Sequence, residues 1–216
     1  MSKDKEYREA ACKQWIDVRS FGQVFAYKAT AKKAKKGKEA AEGEDEKGES
    51  AGVSIGIRGP VSIHPAFSIA SVNDRVSSIQ ITKSVSGEGD GAKKASDTMG
   101  MKHRVDHGVY VFYGSMNPQL ATKTGFTDKD ADAIKEALKT LFRNDASSAR
   151  PEGSMEVNKV YWWKHNSNNG QYSSAKVHRL LAVEVKQNIA EPKGIGDYDV
   201  LLKELPGLKC EVIDGE

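Results

Sequence analysis

Three basic residues in a row, Lys102, His103 and Arg104, run towards an alternating aromatic segment, Val109-Tyr110-Val111-Phe112-Tyr113. Cation beside π-surface is the chemistry of a single-stranded nucleic-acid groove: phosphates pair with Lys and Arg, and unpaired bases lie against apolar faces. Met99, between Thr98 and Gly100, precedes the cluster. An unbranched thioether can slide beside a base and hold it unstacked, and it can equally cap a core under a loop. An aromatic strand flanked by lysines is also an ordinary sheet edge. Arg58 stands next to Gly59-Pro60, where the chain must bend. It is either an exposed edge charge or a phosphate contact beside backbone that Gly59 leaves open. His64, His103 and His107 offer acid–base chemistry, but no His, Glu or Cys set has metal-ligand spacing and no nucleophile–base pair stands out. His107, in Asp-His-Gly, has the setting of a turn residue. Cys12 and Cys210 match no metal or redox spacing and read as two reduced thiols.

The elements that must position these groups follow from periodicity. Tyr7, Ala10, Ala11, Gln14 and Trp15 keep three-four spacing, so residues 3–16 read as a helix. Residues 17–26 read as a strand with Gly22 as a bulge. Residues 28–52 split by sign into a lysine half, Lys28 to Lys38, and an acidic half, Glu39 to Glu49. With almost nothing to bury, this block is expected to be a disordered, self-neutralising loop. Residues 53–64 alternate as two strand pieces joined at Gly59-Pro60, and residues 79–83 form a short strand. Residues 84–101, rich in Gly, Ser and Lys, then read as a finger returning to Lys102. Thr127 caps the clearest helix, with Asp130 at the third helical position and Ala131, Ile134, Leu138, Leu141 and Phe142 as its core stripe. Strands are expected over residues 157–165 and 176–187, a short helix over 197–205 and a terminal strand near Cys210.

Bulk composition narrows the class. The chain of 216 residues is long enough for one good core, and its net charge of only +3 means that any polyanion site must come from uneven charge placement. No run is apolar enough for a membrane span or a signal segment, so a cytoplasmic protein without membrane partners is expected. The element order is that of an α+β, ferredoxin-like plan without its first strand, in one domain over residues 1–216.

Four segments in a fixed order carry a resemblance. They are Asp17-Val18-Arg19-Ser20-Phe21-Gly22, Ile57-Arg58-Gly59-Pro60-Val61, the stretch from Thr98 to Ala121, and Thr124-Gly125-Phe126-Thr127. Together they resemble the Cascade backbone subunit of type I-C CRISPR systems, the Cas-seven-type (Csd-two) family of the RAMP superfamily, from about Ala10 to Val185. The resemblance implies an RRM-like palm with a β-hairpin thumb, from which the family's N-terminal strand is missing here. It further implies a non-catalytic protein without cofactor that binds crRNA, stacks head to tail with other copies of itself and joins other Cascade subunits. The guide is then presented to target DNA. By the same resemblance, Arg19, Ser20, Phe21 and Gly22 enter the RNA groove, with Arg19 on phosphate. Arg58 and Gly59 form the bend beside the guide, Lys83, Lys102, His103 and Arg104 supply the basic lining, and Met99 is the wedge. Phe21 as a core aromatic and Lys83 as a solvated lysine remain open alternatives. Two rival functions are a metal-independent RAMP-type RNA endonuclease using Asp97 or His103, and a protein-interaction module docking through the Lys/Glu block.

Overall fold

The computed structural model describes residues 3–27, 53–72, 76–83 and 98–216. The low-complexity block, the finger residues 84–97 with Asp97, and the side chains of Lys83 and Met99 lie outside what is described. By its internal contacts the chain forms two compact units. The first comprises Met1–Ser62, Gly114–Gln171 and Leu208–Glu216, and the second Ile63–Tyr113 and Tyr172–Gly207.

In the first unit, α1 (Lys3–Gln14) breaks at Trp15 and α2 (Ile16–Phe21) follows at once, before β1 (Gly22–Tyr27). The strand expected over residues 17–26 is therefore half helix. Burial decides this: Val18 packs on Ala11 and Cys12 of α1, which the helical turn allows. Tyr7, Phe25 and Ile57 close over that cluster, Tyr7 and Phe25 meeting edge to face at 5.1 Å. β1 pairs antiparallel with β2 (Val53–Arg58), Gly22 opposite Arg58 and Phe25 opposite Ile55. The expected bend at Gly59-Pro60 is present, followed by β3 (Val61–Ile63), which pairs with β8 (Gly114–Met116). Pro60 is fully buried and its carbonyl accepts from Asn117 N–H at 2.9 Å. Asn117 in turn caps α3 (Pro118–Thr124), its side chain accepting from the N–H groups of Gln119 and Leu120. α4 (Asp128–Lys139) opens on the expected reciprocal cap between Thr127 and Asp130 and buries Ile134. β9 (Lys159–Trp163) pairs with β12 (Cys210–Asp214).

In the second unit, β4 (Phe67–Ser68) pairs with β7 (Tyr110–Val111), so the aromatic segment is a strand for only two residues. β5 (Val76–Lys83) and β6 (Thr98–Val105) form a ribbon of eight residue pairs, longer than the strand expected over residues 79–83. The strand expected over residues 176–187 is instead α5 (Ser174–His178) followed by β10 (Leu181–Val185). Burial of Val177 on the helix, and of Leu180 and Leu181 after it, sets that division. The helix expected over residues 197–205 is mostly strand, a 3₁₀ turn (Ile195–Asp197) leading into β11 (Tyr198–Leu202). Pairing of β11 with β10, Val200 opposite Val183, overrides its helix-like composition. The class is α+β, as expected; among the described residues the strands form six two-stranded antiparallel sheets.

Candidate nucleic-acid interface

The structure sorts the expected site residues into two sets, one in each unit. Arg19, Ser20, Phe21, Gly22, Arg58 and Gly59 converge in the first. Gly22 adopts φ +85°, and a Cβ on it would strike the Ile57 carbonyl oxygen and lie 2.7 Å from Gly59 N. A Cβ on Gly59 would strike the Ser20 carbonyl. Both glycines are thus required for the end of α2 to lie against the Arg58-Gly59-Pro60 bend. Ser20 is completely buried at this contact, its hydroxyl without a hydrogen-bond partner among the described residues. Ser20 and Gly59 hold backbone against backbone, while Arg58 is exposed beside them.

Arg19 is turned inward. Its guanidinium donates to the Asp130 carboxylate at 2.6 Å and to the Cys12 carbonyl at 3.3 Å. It thereby caps the end of α1 and ties α2 to α4, a different use from the expected phosphate contact. The Arg19 guanidinium, reinforced by the backbone N–H and hydroxyl of Thr127, holds Asp130 well below the usual carboxylate range, at about 2. Phe21 is 50% exposed, so it is not the core aromatic that its type allowed. Trp15 is equally exposed and was not among the expected site residues. Trp15, Val18, Phe21 and Phe25 line a shallow groove with Asp17, Gly22 and Gln23. In the sequence Trp15 continues the three-four stripe of residues 3–16; only the structure, which breaks the helix there and makes Trp15 the N-cap of α2, sets it apart.

The second set lies on the β5–β6 ribbon. Successive strand residues alternate between faces, and the register sorts them. Lys102 opposite Ile79 and Arg104 opposite Ser77 fall in one row, which includes Lys83 opposite Thr98. His103 opposite Ser78 falls in the other row, which includes Met99 opposite Thr82. The three consecutive basic residues are therefore not one patch. His103 Nδ1 meets Ser78 Oγ at 2.6 Å, and Arg104 Nε donates to Asp106 at 3.0 Å and Ser77 Oγ at 3.2 Å. Ile79, Ile81 and Met101 are half exposed along the ribbon. Cations and aliphatic surface thus share one narrow element.

The other histidines have separate partners. His64 meets His178 edge to face at 5.7 Å, and His178 stacks on Tyr113 at 4.7 Å. His107 lies 6.0 Å from the Tyr198 ring. Among the described residues, no group of three or more His, Cys, Asp or Glu could hold a metal ion, and no helix is long and apolar enough to cross a membrane.

The family model described as CRISPR-associated protein Cas7 matches residues 1–203. No curated protein matches the chain significantly. A match over almost the whole chain shows that it belongs to the Cas7 family, CRISPR-associated RNA-binding backbone proteins that work with crRNA and other Cas subunits.

Proposed function

We propose that this Cas7-family chain is the crRNA-binding backbone subunit of a type I-C Cascade, a non-catalytic cytoplasmic protein acting in antiviral defence. Copies polymerise head to tail along one guide RNA and present it for pairing with target DNA, in contact with the other Cascade subunits. The palm is ferredoxin-like, and the β5–β6 ribbon, whose strands include Lys83 and Met99, belongs to its thumb. The observation that carries the reading is the row of Lys102 and Arg104 along an exposed two-stranded ribbon in a chain of this family. Such a row grips phosphates and leaves Watson–Crick edges free, as suits a protein whose sequence specificity resides in its guide. Head-to-tail contacts that do not close into a ring build an open filament of the length that the RNA sets.

The test is the mass of the purified protein by light scattering, with and without guide RNA and after RNase. Assembly that appears with RNA and collapses on digestion supports the reading. Oligomers indifferent to RNase would make the chain a protein-interaction module. End-labelled RNA should stay intact on incubation; cleavage lost in His103→Ala or Asp97→Ala would make it an endonuclease.

A further inference from the structure

The groove beside α2 presents chemistry that neither the core nor the ribbon uses. Its volume, about 350 Å³, is at the lower end for ligand-sized clefts. Trp15 and Phe21 bring two aromatic side chains to it, 48% and 50% exposed. Trp15 is the N-cap of α2, where a small polar residue is favoured, and its side chain makes no capping hydrogen bond. It thus stays half in water at a position where it serves the helix poorly. The Asp17 carboxylate and the Gln23 amide line the same groove. These are groups that hydrogen-bond to base edges, and the carboxylate disfavours a phosphate inside. Gly22 is also in the lining, and Arg58 lies opposite Gly22 in the β1–β2 register. The charges thus favour a base in the groove and a phosphate outside it.

We propose that this groove binds one unpaired nucleobase of a single strand. The base lies against Trp15 and Phe21, its edge within reach of Asp17 or Gln23 and its phosphate towards Arg58. The proposal rests on the nucleic-acid reading above and adds a contact on the first unit, apart from the ribbon.

The experiment compares an oligouridylate with an abasic strand of equal length, both binding to the wild type and to Trp15→Leu, which keeps apolar bulk. Trp15→Leu should weaken the base-bearing strand by about 5- to 150-fold, the range for losing one stacked base, and leave the abasic strand unchanged. In a protein carrying Trp162→Phe and Trp163→Phe, the remaining indole should be quenched by the oligouridylate and not by the abasic strand; this arm needs no change at the groove. Unchanged binding of both strands by Trp15→Leu, equal weakening of both, or absence of that quench overturns the groove assignment while RNA binding stands. A wild type that binds neither strand overturns the RNA reading and this inference with it.

Discussion

Arg19 and Asp130 show how a charge that looks available for a ligand is consumed by the fold. The Asp130 side chain is 8% exposed and that of Arg19 22%, so the pair is shielded from solvent. Asp130 titrates at about 2 rather than 3.8, so the unfolded chain holds its proton to higher pH than the folded one. The pair's contribution is therefore complete above the ordinary carboxylate range and is lost as pH falls towards 2. The size of the shift corresponds to roughly 2 kcal/mol. We predict that urea unfolding of Asp130→Asn, followed from pH 5 to pH 2, has a shallower acid-side loss of stability than the wild type; parallel curves would contradict the pairing. Arg19→Met leaves a buried carboxylate alone and should cost about 3 kcal/mol. It should also leave the salt dependence of RNA binding unchanged, because the guanidinium already has its anion.

At the scale of elements, the ribbon and the α2 contact make opposite demands. On the ribbon, Lys102 and Arg104 share a row and His103 does not. Replacing Lys102 and Arg104 together should lower the log–log salt slope of single-strand binding by roughly 1.4, at about 0.7 per phosphate contact. His103→Ala should leave that slope as it is. A titration of affinity against salt distinguishes the rows, and equal effects would mean that the ribbon is gripped from both faces. Arg104 is held by Asp106 in an exposed pair, so Asp106→Asn should strengthen RNA binding slightly by releasing the guanidinium. At the α2 contact, glycine is a steric requirement. Gly59→Ala drives a Cβ into the Ser20 carbonyl and should lower stability by about 1–3 kcal/mol, as overpacking does. Gly56→Ala, three residues earlier in β2 with nothing within 4 Å of the new atom, should fall within about 0.5 kcal/mol of wild type. Thermal melts of the two variants side by side test the claim.

For the molecule as a whole, both units are assembled from segments distant in sequence, the first from three and the second from two. What a connection contributes then depends on what it joins. Residues 28–52 join β1 to β2, whose register already pairs Tyr27 with Val53. Residues 32–49 contain no apolar side chain larger than Ala. Deleting them behind a short Gly/Ser linker should therefore preserve folding and guide binding. It should raise stability slightly, by about 0.6 kcal/mol per halving of the length that joins the two strands. A loss of soluble expression would show that the block contributes to the fold.

The capping box at Thr127 and Asp130, the core-facing Ile134, the bend at Gly59-Pro60 and the α+β class were all legible in the sequence. Each depends on atoms a few residues apart: a hydroxyl reaching the third N–H, or a proline lacking one. The four ordered motifs likewise pointed to the family. Tertiary structure alone decided that residues 16–21 are helical, that α5 interrupts the strand expected over 176–187, and that β11 is a strand. In each case burial or pairing against a distant segment outweighed local preference. The same holds for the site. Arg19 reads as a free cation until Asp130, 111 residues away, is brought to 2.6 Å. Lys102, His103 and Arg104 read as one patch until the strand period separates them. A sequence shows which charges exist, but which of them are already neutralised depends on long-range packing, because a buried ion pair forms only where the chain's return brings its partner within reach.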